Sequence, residues 1–77
     1  MRITVREDGY ADVVLASFDE AMDYINVTAY ERWLACYDPN SDDAVRYPGV
    51  WFAKGQHGIE ARLDSEYPKL TVRWEIL

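Results

Sequence analysis

Residues 59–76 read Ile59-Glu60-Ala61-Arg62-Leu63-Asp64-Ser65-Glu66-Tyr67-Pro68-Lys69-Leu70-Thr71-Val72-Arg73-Trp74-Glu75-Ile76, and this stretch decides the fold. In its first half Ile59, Ala61 and Leu63 alternate with Glu60, Arg62 and Asp64. In its second, Leu70, Val72, Trp74 and Ile76 alternate with Thr71, Arg73 and Glu75. A period of two is the pattern of strands with one face in a core and the other in solvent. Ser65-Glu66-Tyr67-Pro68 supplies the turn. Pairing Leu63 with Leu70 sets Glu60 opposite Arg73, a favourable cross-strand pair of opposite charges. The size and position of Trp74 predict that it is among the most buried residues.

Working outward, Val50 to Lys54 forms a strand that enters the hairpin through Gly55-Gln56-His57-Gly58. It is preceded by Tyr47-Pro48-Gly49, with proline and glycine placed as a type II turn requires. At the other end of the chain Met1, Ile3 and Val5 alternate with Arg2, Thr4 and Arg6, and a second apolar run spans Ala11 to Ala16. A three-residue loop of Glu7, Asp8 and Gly9, with Gly9 left-handed, pairs Val5 with Ala11, Ile3 with Val13 and Met1 with Leu15. A two-residue Asp8-Gly9 turn would set Val5 against Asp12, so the longer loop is preferred.

Between the two sheet portions, Ser17-x-x-Glu20 is a capping box. Phe18, Met22, Ile25, Ala29, Trp33 and Cys36 then recur at helical spacing, and Asp38-Pro39-Asn40 ends the run. A second capping box, Thr28-x-x-Glu31 after Asn26-Val27, leaves open a break near residues 26–28. The expected fold is α+β, ordered ββαβββ, with one antiparallel sheet covered on one face by the helix.

Seventy-seven residues make a single domain, 1–77, too small for a large enzyme scaffold. Apolar residues at 49% with charged residues at 29% match a folded domain rather than a disordered tail. The net charge of −6 is unevenly distributed. Residues 7–43 hold ten acids and one base, Arg32, for −9, and the rest of the chain carries +3. An acidic surface repels phosphate, so direct nucleic-acid binding and anionic membranes are disfavoured and a basic partner is favoured. No apolar run approaches the ~18 residues of a bilayer span. One cysteine and an N-terminus without an apolar signal core lead us to expect a cytoplasmic protein.

Sites for chemistry are sparse. Asp38-Pro39-Asn40-Ser41-Asp42 offers oxygen ligands at the first, third and fifth positions of a calcium loop. Asp43 then stands where the sharp-turn glycine belongs, and Gly49 where a bidentate glutamate belongs, so a solvated acidic loop is the better reading. Cys36 lies on the apolar stripe and is expected in the core. His57 sits in a glycine-flanked turn with no acid or nucleophile next to it in sequence. Asp19 and Asp23 are four apart, as paired catalytic carboxylates could be, yet nothing predicts a cleft around them. No catalytic residue, metal or cofactor is expected, and the domain is read as non-enzymatic.

Two surfaces remain. With Phe18 and Cys36 toward the sheet, Asp19, Glu20, Asp23 and Glu31 point outward together with Val27, Tyr30 and Leu34. Acids interleaved with apolar groups resemble a partner-binding surface, unless the 38–48 loop or a helix break covers Val27, Tyr30 and Leu34. Asp38, Asp42 and Asp43 extend the acidic set. Carboxylates one turn apart lie about 5–6 Å from each other, a spacing compatible with phosphate mimicry. On the open sheet face, Arg2, Arg6, Trp51, Arg62 and Arg73, with Tyr10 nearby, could bind single-stranded nucleic acid. There Asp12, Glu60 and Glu75 are expected to neutralise them.

In size, charge and its β-hairpin, helix, sheet order, the chain resembles the small acidic phage-encoded anti-CRISPR proteins aimed at type I surveillance complexes. That resemblance implies an inhibitor occupying the basic DNA path of an effector complex, with the acids from Asp19 to Asp43 in place of phosphates. The Ser17–Ile25 run is also similar to the hairpin-to-helix junction of many small bacterial antitoxins and regulators. This implies instead a module, monomeric or homodimeric, that pairs with itself or with a cognate protein through Val27, Tyr30 and Leu34.

Overall fold

The computed structural model of the chain describes residues 2–37 and 46–77. Strand β1 (Ile3–Glu7) and strand β2 (Val13–Leu15) form the first hairpin. Helix α1 (Phe18–Cys36) follows, then β3 (Trp51–Lys54), β4 (Ile59–Glu66) and β5 (Lys69–Ile76). All pairings are antiparallel, and the sheet order β2-β1-β5-β4-β3 sets β5 in the centre, between β1 and β4. This is the α+β, ββαβββ arrangement, with one helix against one face of the sheet.

Both hairpins differ from the expected register by two residues. Val5 pairs with Val13 and Ile3 with Leu15, because the connection turns at Glu7, whose carbonyl accepts from the Tyr10 N–H (3.1 Å), and then runs on through Asp12. Gly9 is left-handed (φ 84°), as the turn demands. Leu63 pairs with Val72 rather than Leu70, since Glu66 pairs with Lys69 and the turn narrows to Tyr67-Pro68. A shift of two preserves every inward and outward assignment, so the two faces remain as expected while the partners change. Arg62 therefore stands opposite Arg73, and Glu60 opposite Glu75.

Helix α1 begins at Ser17, which is extended (φ −145°, ψ 162°); its Oγ accepts from the Glu20 N–H at 3.2 Å. The Glu20 carboxylate returns to accept from the Ala16 N–H at 3.0 Å, one residue before the cap. The helix is continuous through residues 26–28. Thr28 is buried on the sheet-facing stripe with Ala21, Ile25, Ala29 and Trp33, and does not cap a second helix.

The core comprises Val5, Ala21, Ile25, Ala29, Trp33, Ala61, Leu63, Trp74 and Ile76, with Trp74 the largest of the fully buried side chains. Cys36 is exposed, which corrects its expected place in the core. Its angular position on the helix is right, but it occupies the last helical residue. Phe18, on the same line at the first residue, is also 36% exposed. Periodicity gives the direction of a side chain around the axis and says nothing about where the sheet beneath it ends.

The described residues after α1 rejoin it through an aromatic cluster. Trp33 stacks on Tyr37 (centroids 5.1 Å apart) and meets Tyr47 edge-on at 5.4 Å, while Tyr47 meets Tyr30 edge-on at 5.2 Å. The Tyr47 hydroxyl is buried and has no hydrogen-bond partner among the described residues. Its burial, with a smaller contribution from Tyr30, raises the phenol pKa above the ordinary value near 10. A raised folded-state pKa contributes stability that is complete below the unfolded value and lost as pH rises through the folded one. Tyr47→Phe should therefore leave the thermal midpoint unchanged or higher at neutral pH and flatten its decline above about pH 10. Thermal scans from neutral to alkaline pH check this; a lower midpoint at neutral pH would show that the hydroxyl is doing stabilising work.

Candidate functional site: the outer face of the helix

The side of α1 turned away from the sheet carries Glu20, Asp23, Val27, Tyr30 and Leu34 at successive spacings of three, four, three and four, flanked by Asp19 and Glu31. At 3.6 residues per turn these positions form one stripe, and at 1.5 Å per residue Glu20 to Leu34 spans about 21 Å. Val27, Tyr30 and Leu34 are 59%, 46% and 45% exposed, and Asp19, Glu20, Asp23 and Glu31 are exposed with them. The seven candidate residues on the helix are thus brought together. Asp38, Asp42 and Asp43 of the same candidate set, and the calcium-like 38–42 spacing, lie outside the described residues.

The charged residues that α1 itself places on this face are all acidic. Among the described residues Asp19, Asp23 and Glu31 form no ion pair, and Glu20 is engaged only at the helix start. Arg32, the sole base of residues 7–43, points the other way. Its Nε and Nη2 each lie 3.4 Å from an oxygen of Glu7, and its guanidinium carbon is 4.2 Å from the centre of the Tyr10 ring. The hydrogen bond that Arg32 donates to Glu7 raises the pKa of Arg32 further, against the effect of burial. Glu7 also accepts from the Trp74 indole N–H at 3.1 Å, so one carboxylate joins β1, β5 and α1. Sequence reading missed this clasp. Its one signal was the isolation of Arg32 among ten acids.

The opposite sheet face is neutralised in part: Asp12 and Glu60 form ion pairs as expected, Asp64 does so where Glu75 was expected to, and Arg2 has no ion pair among the described residues. Arg6 makes a two-pronged contact with Asp12 (3.0 and 3.2 Å), which lowers the Asp12 pKa. Arg73 pairs diagonally with Glu60, easing the like-charge registers, and Arg62 Nε lies 3.1 Å from Asp64 without the angle of a hydrogen bond. Trp51 is half exposed beside Arg62. Tyr10 does not join this face, being held over Arg32. A nucleic-acid track built on Arg2, Arg6, Arg62 and Arg73 would have to displace three acidic partners.

No constellation for catalysis is assembled from the candidates. Asp19 and Asp23 are exposed on the helix. His57 is exposed beside a hollow of about 200 Å³ whose Glu60 and Arg73 are paired with each other. Among the described residues there is no group of three or more His, Cys, Asp or Glu placed to hold a metal ion, and no helix is long and apolar enough to cross a membrane. No family model matches the chain, and no curated protein or solved structure matches it either.

Proposed function

We propose that this domain is a non-enzymatic, protein-binding inhibitor of a nucleic-acid-handling complex of the CRISPR type, acting through the outer face of α1 on the basic surface where the complex holds its nucleic acid. The observation that carries this reading is the contrast between the two faces. The sheet face pairs Arg6, Arg62 and Arg73 with acids, whereas the helix face presents Asp19, Asp23 and Glu31, without ion pairs among the described residues, around exposed apolar side chains. Unpaired acids steer a basic partner and exposed apolar groups hold it once docked. The carboxylates stand where phosphates would, and such an inhibitor acts in the cytoplasm of the bacterial host.

A second reading, a self-associating or antitoxin-like module, draws on Val27, Tyr30 and Leu34 alone. It sets the acids Asp19, Asp23 and Glu31 of one copy against those of the other, which opposes pairing at low salt.

The test uses a type I surveillance complex purified without target DNA and the immobilised domain. Retention that DNA competes away and that falls steeply with salt is the expected result. A homodimer that persists in high salt, with no retention of the complex, would replace this reading by the second.

A further inference from the structure

Helix α1 carries apolar residues on both sides. Ala21, Ile25, Ala29 and Trp33 are buried against the sheet, while Val27, Tyr30 and Leu34 are exposed opposite them. A helix that only covers a sheet is apolar on one stripe; one with a second stripe is built for a second cover. The second stripe has a specific geometry. The three-four spacing of Val27, Tyr30 and Leu34 is that of helix-on-helix packing, in which side chains of one helix fill the gaps between those of another. Tyr30 sits at the middle of the three, braced edge-on by Tyr47 at 5.2 Å and beside Trp33 at 6.2 Å, so its ring is already fixed for contact.

The charges choose among the possible covers. Asp19, Asp23 and Glu31 border the stripe without ion pairs among the described residues, and Arg32, the one base of α1, is held by Glu7 on the far side. A second copy of this helix would meet them with the same acids, and a nucleic acid with phosphates. A helix with its own apolar stripe and flanking lysines or arginines would satisfy both components at once.

Resting on the outer face of α1 as the docking surface, we propose that the partner engages it with a single basic amphipathic α-helix, packed along Val27, Tyr30 and Leu34 with its cations against Asp19, Asp23 and Glu31. The apolar stripe then carries as much of the affinity as the charges do. A purely phosphate-mimicking contact would leave it idle.

The experiment uses the whole domain and two synthetic peptides of three heptads and identical leucine and lysine composition. One has leucine at the first and fourth position of each heptad, and the other has the same residues shuffled to destroy that repeat. Titration calorimetry should show the heptad peptide binding at least about ten-fold more tightly than the shuffled one, a separation of about 1.4 kcal/mol, with circular dichroism showing it become helical on binding. V27S/Y30S/L34S should remove that advantage. V27S/L34S, which keeps the Tyr30–Tyr47 contact, should remove most of it and serves if the triple variant fails to fold. Equal affinity for both peptides, still abolished by D19K/D23K/E31K, would overturn the helix and leave the basic-partner reading standing. Binding of neither peptide, or domain self-association that V27S/L34S prevents, would overturn both.

Discussion

Trp74→Ala is expected to lower the unfolding free energy by about 3–5 kcal/mol, a large part of the roughly 4–12 kcal/mol available to a domain of this length. Trp74 is fully buried on the central strand, and its neighbours in the core include the alanines at 21, 29 and 61, which have little side chain with which to close the void. The substitution also withdraws the indole N–H from Glu7, leaving a carboxylate that is only 10% exposed with Arg32 as its remaining side-chain donor. Trp74→Phe separates the two effects. It keeps most of the ring volume and loses the hydrogen bond, so its cost should be about 1–3 kcal/mol. Urea unfolding of both variants gives the measurement. An alanine variant within 1 kcal/mol of the parent, by this same scale, would mean that β5 is not the centre of the sheet.

Reversing three carboxylates should have the opposite profile, a large effect on binding and a small one on folding. Asp19→Lys, Asp23→Lys and Glu31→Lys each add two units of charge, moving residues 7–43 from −9 to −3. Because these acids have no ion-pair partners among the described residues, little internal interaction is lost with them. Asp19 alone sits in the first helical turn, where exchanging an acid for a base costs about 0.3–1 kcal/mol against the helix dipole. Association with a basic partner should fall by about a hundred-fold or more at low salt, mostly through a slower on-rate. Surface plasmon resonance across a salt series measures it. The control, R62S/R73S, changes the sheet face and leaves the acids of α1 intact. Full binding by the helix variant together with loss in the sheet variant would move the site to the sheet face and revive the nucleic-acid reading.

The sequence and the structure part company in instructive places. Alternation along β4 and β5 identified which residues face the core, and the structure retains each of those assignments, because an outward charge cannot exchange with an inward leucine without burying it. Alternation has no preference between registers two residues apart, so Val5–Val13 and Leu63–Val72 replaced the expected partners once turn geometry decided between them. The Arg73–Glu60 pair survived the change by becoming diagonal, the reach of an arginine spanning the offset. Cys36 was misplaced for the reason that a helical wheel has no ends. The outer stripe of α1 was legible by subtraction, once the buried side was fixed. Whether it was covered depended on tertiary structure, and Val27 at 59% exposure answers that for the described residues. The Glu7 clasp joins residues 25 and 67 positions apart, a distance over which no local pattern operates.

The central position of β5 sets the order in which the molecule can assemble. β3 and β4 are near neighbours in sequence and can pair early, as can the short β1–β2 hairpin. Within the sheet these two halves meet through the β1–β5 pairing, beside which Thr4 and Leu77 exchange backbone hydrogen bonds of 3.1 and 2.8 Å between residues far apart in sequence. The loop-closure entropy of that contact falls due before the core can reward it, and contacts of such long separation slow folding toward the millisecond-to-second range. During synthesis the acidic helix would emerge with only part of its sheet-facing side covered, since β1 and β2 precede it while β4 and β5, on which it also packs, follow it.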